Sequence, residues 1–422
     1  MKPIIGFKKF FGFFAAMPAL SWLFGFLTAV IIECLIGNNI AWTLGLPKIP
    51  ALFGFLIMLK KPLLIPGALA YIIIVYLLPL TLTARFFSGK INKIAAKIYK
   101  LPTPVYTVLY LILLYIIIDI WAGISDYRIV TIKLTFIAII LTLSLNVING
   151  YMGEFSCSHT GFMALGAYAA STVTLILCAN DKLFGEALLP SFFAPFVFPI
   201  ALIIGGLSAA IGSLLVAIPS FRTRGDYLAI ISLAFMFIVK SLVENLEVLG
   251  GARGMGGQPS LANLPTVFIW TALSIWIINN FVTSVIGKAT NAVRDNETAA
   301  NAMTVNTRRT KIVTFMFAAF WAGIAGGLFA HVLCYVNPGT FGIKKLAEIF
   351  AMVYFGGLNS VVGSIIGAVG FNLASEALRP LELFKWIIIP VIMILIMIYK
   401  PTGLVAFKEF NIKKILAPKG DK

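Results

Sequence analysis

KATNAVRDNETAANAMTVNTRRTKIVTFMFAAFWAGIAGG, residues 288–327, begins as a charged, helix-favouring stretch and passes directly into an apolar helix. Basic side chains (Lys288, Arg294, Arg308, Arg309, Lys311) outnumber acidic ones (Asp295, Glu297) in the first part. Lipid cannot hold such a segment, so it must lie at a membrane face, and its positive bias places that face on the cytoplasmic side. A polar stretch of this length next to a spanning helix is available to a soluble partner.

The rest of the chain is what makes the stretch stand out. Of 422 residues, 60% are hydrophobic and only 12% charged, more apolar surface than a soluble core could bury. The expected fold is an all-α polytopic membrane helix bundle. A net charge of +17 would suggest nucleic acid in a soluble protein, but here the Lys and Arg fall in short gaps between apolar runs, as membrane topology requires. Cys34, Cys157, Cys178 and Cys334 show no CxxC spacing, which signals neither a metal site nor a disulfide framework. The first apolar stretch, 11–36, is too long for a signal-peptide core and is read as a retained helix.

Apolar runs that span, or nearly span, lie at 11–36, 64–83, 102–124, 134–150, 161–180, 192–218, 226–249, 265–287, 311–336, 346–377 and 386–399. Each crossing takes about 20 residues, and about 10–12 segments are expected. With the amino terminus (Lys2, Lys8, Lys9) inside, alternation puts the loops holding Arg85 to Lys100, Arg222 and Arg224, and 288–311 inside as well. The basic tail from Lys400 to Lys422 belongs inside too, so one region must cross twice or re-enter. Gly356, Gly357, Asn359 and Ser360 interrupt the run 346–377 and should split it in two. Broken helices survive in membranes only when buried in protein or lining a cavity, which makes this segment a candidate for the transport path. A kinked structural helix is the other reading. Small residues at four-residue spacing, Ala318, Ala322, Gly326 and Ala330, then Gly363 and Gly367, mark faces where helices approach closely.

Chemistry is sparse. There is no GxxxxGK[ST] loop to cradle ATP phosphates, and the cluster Gly250, Gly251, Gly254, Gly256, Gly257 lacks the strand–helix context of a nucleotide site; it reads as an extracytoplasmic turn. His159 and His331 have no carboxylate or Cys at ligand spacing and read as hydrogen-bonded histidines of the bundle. No catalytic residue, cofactor or metal is expected. Among the carboxylates in or near apolar runs, Glu244 lies four residues after Lys240 and should pair with it, while Glu33, Asp119, Glu247, Glu348 and Glu376 read as lying near helix ends. No proton relay is evident.

The segment Gly150-Tyr-Met-Gly-Glu-Phe-Ser-Cys-Ser-His-Thr-Gly-Phe-Met-Ala-Leu-Gly-Ala-Tyr168 resembles the signature of LivM-type permeases, the membrane subunits of branched-chain amino acid ABC transporters. Arg222-Thr-Arg-Gly-Asp-Tyr-Leu-Ala-Ile230, Gly250-Gly-Ala-Arg-Gly254, Phe355-Gly-Gly-Leu-Asn-Ser360 and Tyr399-Lys-Pro-Thr-Gly-Leu404 are similar to further pieces of that family, in order. The resemblance covers roughly 134–406. It divides the chain into extra amino-terminal helices (1–130), a permease core (131–406) and a basic cytoplasmic tail (407–422).

What the resemblance implies is a permease without its own ATPase, in a bacterial plasma (inner) membrane with both termini cytoplasmic, moving Leu, Ile or Val by alternating access. Its partners would be two ATP-binding subunits, a second related permease and an extracytoplasmic solute-binding protein, with no nucleic acid. The stretch that opened the reading becomes the ATPase-docking loop, carried by Arg294, Asp295, Glu297, Ala299, Ala300, Arg308 and Arg309. Asn146, Asn149, Ser156, His159, Gly356 and Gly357 are the candidates for the translocation path. Family members usually carry glycine where Thr304 stands and Gly rather than Ser158, so either the turn after the docking helix is built differently or the glycine is not strictly needed there. The same motifs occur in urea and amide permeases, and a carrier driven by an ion gradient is the alternative outside the class.

Overall fold

The computed structural model describes residues 18–46, 49, 62–179, 185–220, 226–379, 382–400, 403–405, 410, 413 and 416–417. Arg222 and Arg224, the amino-terminal lysines and most of the basic tail lie outside the described residues. Apolar segments must close their backbone hydrogen bonds internally, and the chain does so almost wholly as helix. Nine helices among the described residues are long and apolar enough to cross a membrane. The protein is an all-α, multi-pass membrane protein. By internal packing it divides into two compact units, Met1–Ile129 with Glu376–Glu382 and Asn411–Lys422, and Val130–Ser375 with Leu383–Phe410.

The first unit carries α1 (Ala19–Thr43), α2 (Ile65–Ile72) running through a π turn into α3 (Leu78–Tyr99), α4 (Thr103–Ala122) and the start of α5 (Asp126–Asn146). Its centre is ionic. Glu33, midway along α1 and only 1% exposed, accepts from Arg128 Nη2 at 2.8 Å and from the Tyr76 hydroxyl. The Arg128 guanidinium lies 4.5 Å from the centre of the Trp121 ring. Glu33 is therefore not a helix-end carboxylate reaching for headgroups. A partner 95 residues away satisfies it inside the bundle.

In the second unit α5 runs on through a π turn, Val147–Met152, that ends on left-handed Gly153, and is followed by α6 (His159–Cys178), α7 (Ala194–Ser220), α8 (Asp226–Asn245) and α9 (Leu264–Thr283). Two short helices, α10 (Val285–Asp295) and α11 (Glu297–Ala302), precede the 27-residue α12 (Thr307–Leu333). After it come α13 (Ile343–Gly356), α14 (Val361–Ala377) and α15 (Glu382–Tyr399). A 3-10 turn, Glu247–Leu249, leads into the glycine cluster at 250–257, which forms a second, Gly251–Arg253, and a strand, Met255–Gly256, paired antiparallel with Tyr335–Val336.

The small-residue stripe of α12 is the axis of this unit. Ala318, Ala322 and Ala330 are fully buried, and a methyl group on Gly326 would sit 2.0 Å from the Met163 carbonyl oxygen of α6. One on Gly166 would sit 2.2 Å from the Gly323 Cα. Helices that close leave no room for a side chain, so contact is backbone to backbone. The run 346–377 is broken as its composition indicates, between Gly356 and Val361. The two halves fold onto each other, with Gly367 facing the Met352 carbonyl so closely that a Cβ would lie 2.1 Å away. The last carbonyls of α13 are not orphaned, because Leu404 N–H donates to Phe355 O at 3.2 Å and Val405 N–H to Gly356 O at 2.9 Å.

Candidate functional site

The two short helices between α9 and α12, and α12 itself, each begin on a side-chain cap that the sequence supplies. Ser284 Oγ accepts from Gly287 N–H at 3.3 Å, Asn296 Oδ1 from Ala299 N–H at 3.0 Å, and Asn306 Oδ1 from Arg309 N–H at 2.9 Å. Thr304, in the turn after α11, takes φ +68°. The turn is thus built in the left-handed form that suits glycine, with a β-branched residue in its place: of the two alternatives, the backbone is kept and the glycine is dispensed with.

The docking-loop candidates divide by orientation. Asp295, Ala299, Arg308 and Arg309 are exposed, as is Met303 at 78%. Ala300 is buried, and Arg294 and Glu297 turn toward the protein. Arg294 Nη1 donates to the Gly150 carbonyl at 3.3 Å, while its Nε and Nη2 both bond the neighbouring Asp295 Oδ1, at 2.9 and 2.8 Å. Glu297 meets Lys311 at 3.2 Å, and Lys311 also meets Glu154 at 2.6 Å. The Lys311 side chain is 4% exposed. Burial pushes the Glu154 carboxyl above its usual value, while Lys311 pulls the other way.

Behind this loop the broken helix is held by one side chain. Asn146 Oδ1 accepts from Asn359 N–H at 3.1 Å, and Asn146 Nδ2 donates to Ser360 O at 3.1 Å and to Ser364 Oγ at 2.7 Å. Gly356, Gly357 and Asn146 thus belong to the hinge of the break. Asn149 Oδ1 accepts from Ser156 N–H at 3.3 Å, and Ser156 Oγ bonds Ser158 Oγ at 2.8 Å. A cavity of about 510 Å³ opens between these parts, lined among others by Asn149, Phe155, Arg294, Tyr354, Leu358 and Asn359. His159 is fully buried and away from this lining, with Nε2 2.7 Å from Ser144 Oγ. His331 likewise sits inside the bundle, bonded to Thr174 and the Gly327 carbonyl.

The family model described as "Branched-chain amino acid transport system / permease component" matches residues 128–398. The chain belongs to this permease family. It is 31% identical over 324 residues to the high-affinity branched-chain amino acid transport system permease protein LivM of Escherichia coli (strain K12), covering 68% of this chain and 72% of the relative. The LivM of Salmonella typhimurium is 29% identical over 315 residues, covering 66% and 70%. The permease protein LivH of Escherichia coli (strain K12) is 28% identical over 147 residues, 34% of this chain and 47% of its own. No solved structure matches.

Within this permease, two features of the site escape a reading along the sequence. Lys311 looks like one more flanking charge of a cytoplasmic loop, and Glu154 like one more polar residue of a motif. Only the fold brings them together. The sole signal at hand is a lysine entering a long apolar helix, where an unpaired charge would be costly.

Proposed function

We propose that this permease is the membrane subunit of an ATP-driven importer for branched-chain amino acids. It would pair with a second, related permease and two ATPase subunits, take solute from an extracytoplasmic binding protein, and dock an ATPase on its own cytoplasmic segment 288–311. The observation that carries the reading is the construction of that segment. Two capped short helices, the turn after them and the start of α12 present Asp295, Ala299, Met303, Arg308 and Arg309 outward, while Arg294 and Glu297 tie the short helices inward to the 150–154 bend. A push on the outer face would reach the broken helix through Arg294, Gly150 and Asn146. Alternating access then amounts to rigid helices shifting about the hinge at 357–360. The membrane would be a bacterial plasma membrane, with both termini inside on the charge bias. Chemistry would belong to the ATPases, and the permease itself would catalyse none.

The test is gentle purification from native membranes, mass spectrometry of what accompanies the chain, and assay of ATP hydrolysis. An ATPase pair with a second permease is the expected result. A lone chain without hydrolysis, under conditions that keep a known importer intact, would overturn the reading.

A further inference from the structure

The cavity of about 510 Å³ beside the broken helix carries more than its lining suggests. Small-molecule sites are typically about 300–1,000 Å³, apolar, with a few converging polar groups. One buried side-chain atom of the lining, the acceptor Asn359 Oδ1, makes no hydrogen bond within the protein. Asn149 Oδ1 is already taken by the Ser156 N–H, and its amide nitrogen is turned to the Tyr354 hydroxyl on the cavity wall. Buried polar atoms without partners are rare and call for an explanation. The same lining holds a cation and an anion side by side, Arg294 and Asp295. Arg294 spends two of its hydrogen bonds on a single Asp295 oxygen and one on Gly150 O, leaving part of its donor fork unused. Phe155, Tyr354 and Leu358 supply the apolar wall, with Phe155 braced by stacking on Phe350 at 4.9 Å.

We propose that this cavity is a release-side subsite for a zwitterionic aliphatic amino acid, an assignment that rests on the importer reading above. Arg294 and Asn149 Nδ2 receive the carboxylate, Asp295 and Asn359 Oδ1 the ammonium, and Phe155, Tyr354 and Leu358 the branched side chain. A neutral amide such as urea would engage the asparagines but leave the charged pair without a role. Arg294 would then couple two events, because the same side chain reaches the solute and belongs to the helix offered to the ATPase.

The test is equilibrium binding to the purified, nucleotide-free complex without binding protein, using L-leucine, leucinamide (no carboxylate) and 4-methylpentanoate (no ammonium). Each analogue and the Arg294→Gln variant should bind at least about tenfold more weakly than leucine binds the native protein, the size of a lost charge-assisted hydrogen bond. Leu358→Trp, which fills the apolar end, should shift preference from leucine toward alanine, a change that general misfolding would not produce. An assembled, ATP-hydrolysing complex that binds no leucine would overturn the subsite and leave the importer standing. So would one whose leucine binding is indifferent to Leu358→Trp and to loss of the carboxylate. Conversely, leucine binding with these preferences by a chain that recruits no ATPase would keep the subsite and sink the importer.

Discussion

Lys311 Nζ lies 2.6 Å from Glu154 Oε1, joining the first turn of α12 to the bend that precedes α6. Glu297 of α11 completes the cluster from the other side at 3.2 Å, so one buried ammonium serves two carboxylates. Attraction in such a site roughly offsets desolvation while the cluster is whole, but removal of the cation strands the anions.

Lys311→Met should therefore destabilise the permease by about 3 kcal/mol, and Glu154→Gln in the same chain should recover part of the loss. The pH response gives the sign. Burial already raises the Glu154 carboxyl above 4.5, so the folded state holds its proton more tightly than the unfolded chain. That contribution is complete below 4.5 and is lost as pH rises through the folded value. Without Lys311 the carboxyl rises further and the window extends upward. The thermal midpoint of Lys311→Met should climb, relative to the native protein, as the pH is lowered from neutral toward the raised carboxyl's titration. A midpoint that tracked the native protein at every pH would show that the cluster carries no charge strain.

How far the site was legible follows from distance along the chain. The i,i+4 pair Lys240–Glu244 could be read directly, and forms at 3.5 Å. The break at 357–360 was legible because Gly, Asn and Ser stand in an apolar run that otherwise has no reason to contain them. The α12 stripe was legible too, but not the Met163 carbonyl that Gly326 meets, nor the neighbouring approach of Gly323 to Gly166. Glu33 with Arg128, and Lys311 with Glu154, are invisible, since hydropathy reports that a charge needs a partner without saying which. Arg294 looked like an outward flank and turns inward because Gly153, at φ +73°, leaves no side chain in its way.

The hinge can be tested at Asn146. Asn146→Ala removes the acceptor of Asn359 N–H and the donor to Ser360 O and Ser364 Oγ. Leaving such groups buried and unpaired costs about 2 kcal/mol or more. Gly150→Ala should act alike without touching the asparagine, because its methyl would fall 1.9 Å from Asn146 Oδ1 and 2.6 Å from Asn359 N. Both variants should lower the thermal midpoint and amino acid uptake together. Full uptake in either would show that the hinge does not depend on this amide.

Thr304 stands at φ +68° where glycine would be unstrained. A left-handed β-branched residue costs about 1–2 kcal/mol, while glycine adds about 0.5–1 kcal/mol of unfolded-state entropy. Strain wins narrowly, so Thr304→Gly should stabilise the chain by about 0.5 kcal/mol. Thermal denaturation checks it, and a clear loss of stability would mean that the threonine side chain makes a contact worth more than its strain.

Met303 ends α11 with 78% of its surface exposed, between the exposed Ala302 and Thr304. An apolar side chain projecting from a polar loop contributes almost nothing to the chain that carries it, since it buries little there. In an interface the same side chain would fill a pocket, where single apolar anchors hold about 2 kcal/mol or more. Met303→Asp should leave the thermal midpoint of the permease nearly unchanged, within about 0.5 kcal/mol of stability. It should cut the recovery of ATPase subunits, and the hydrolysis that accompanies the complex, by about tenfold or more. Equal recovery of ATPases with the variant would place the docking surface elsewhere, while a drop in both stability and recovery would mean that Met303 supports the fold of the loop and not its partner.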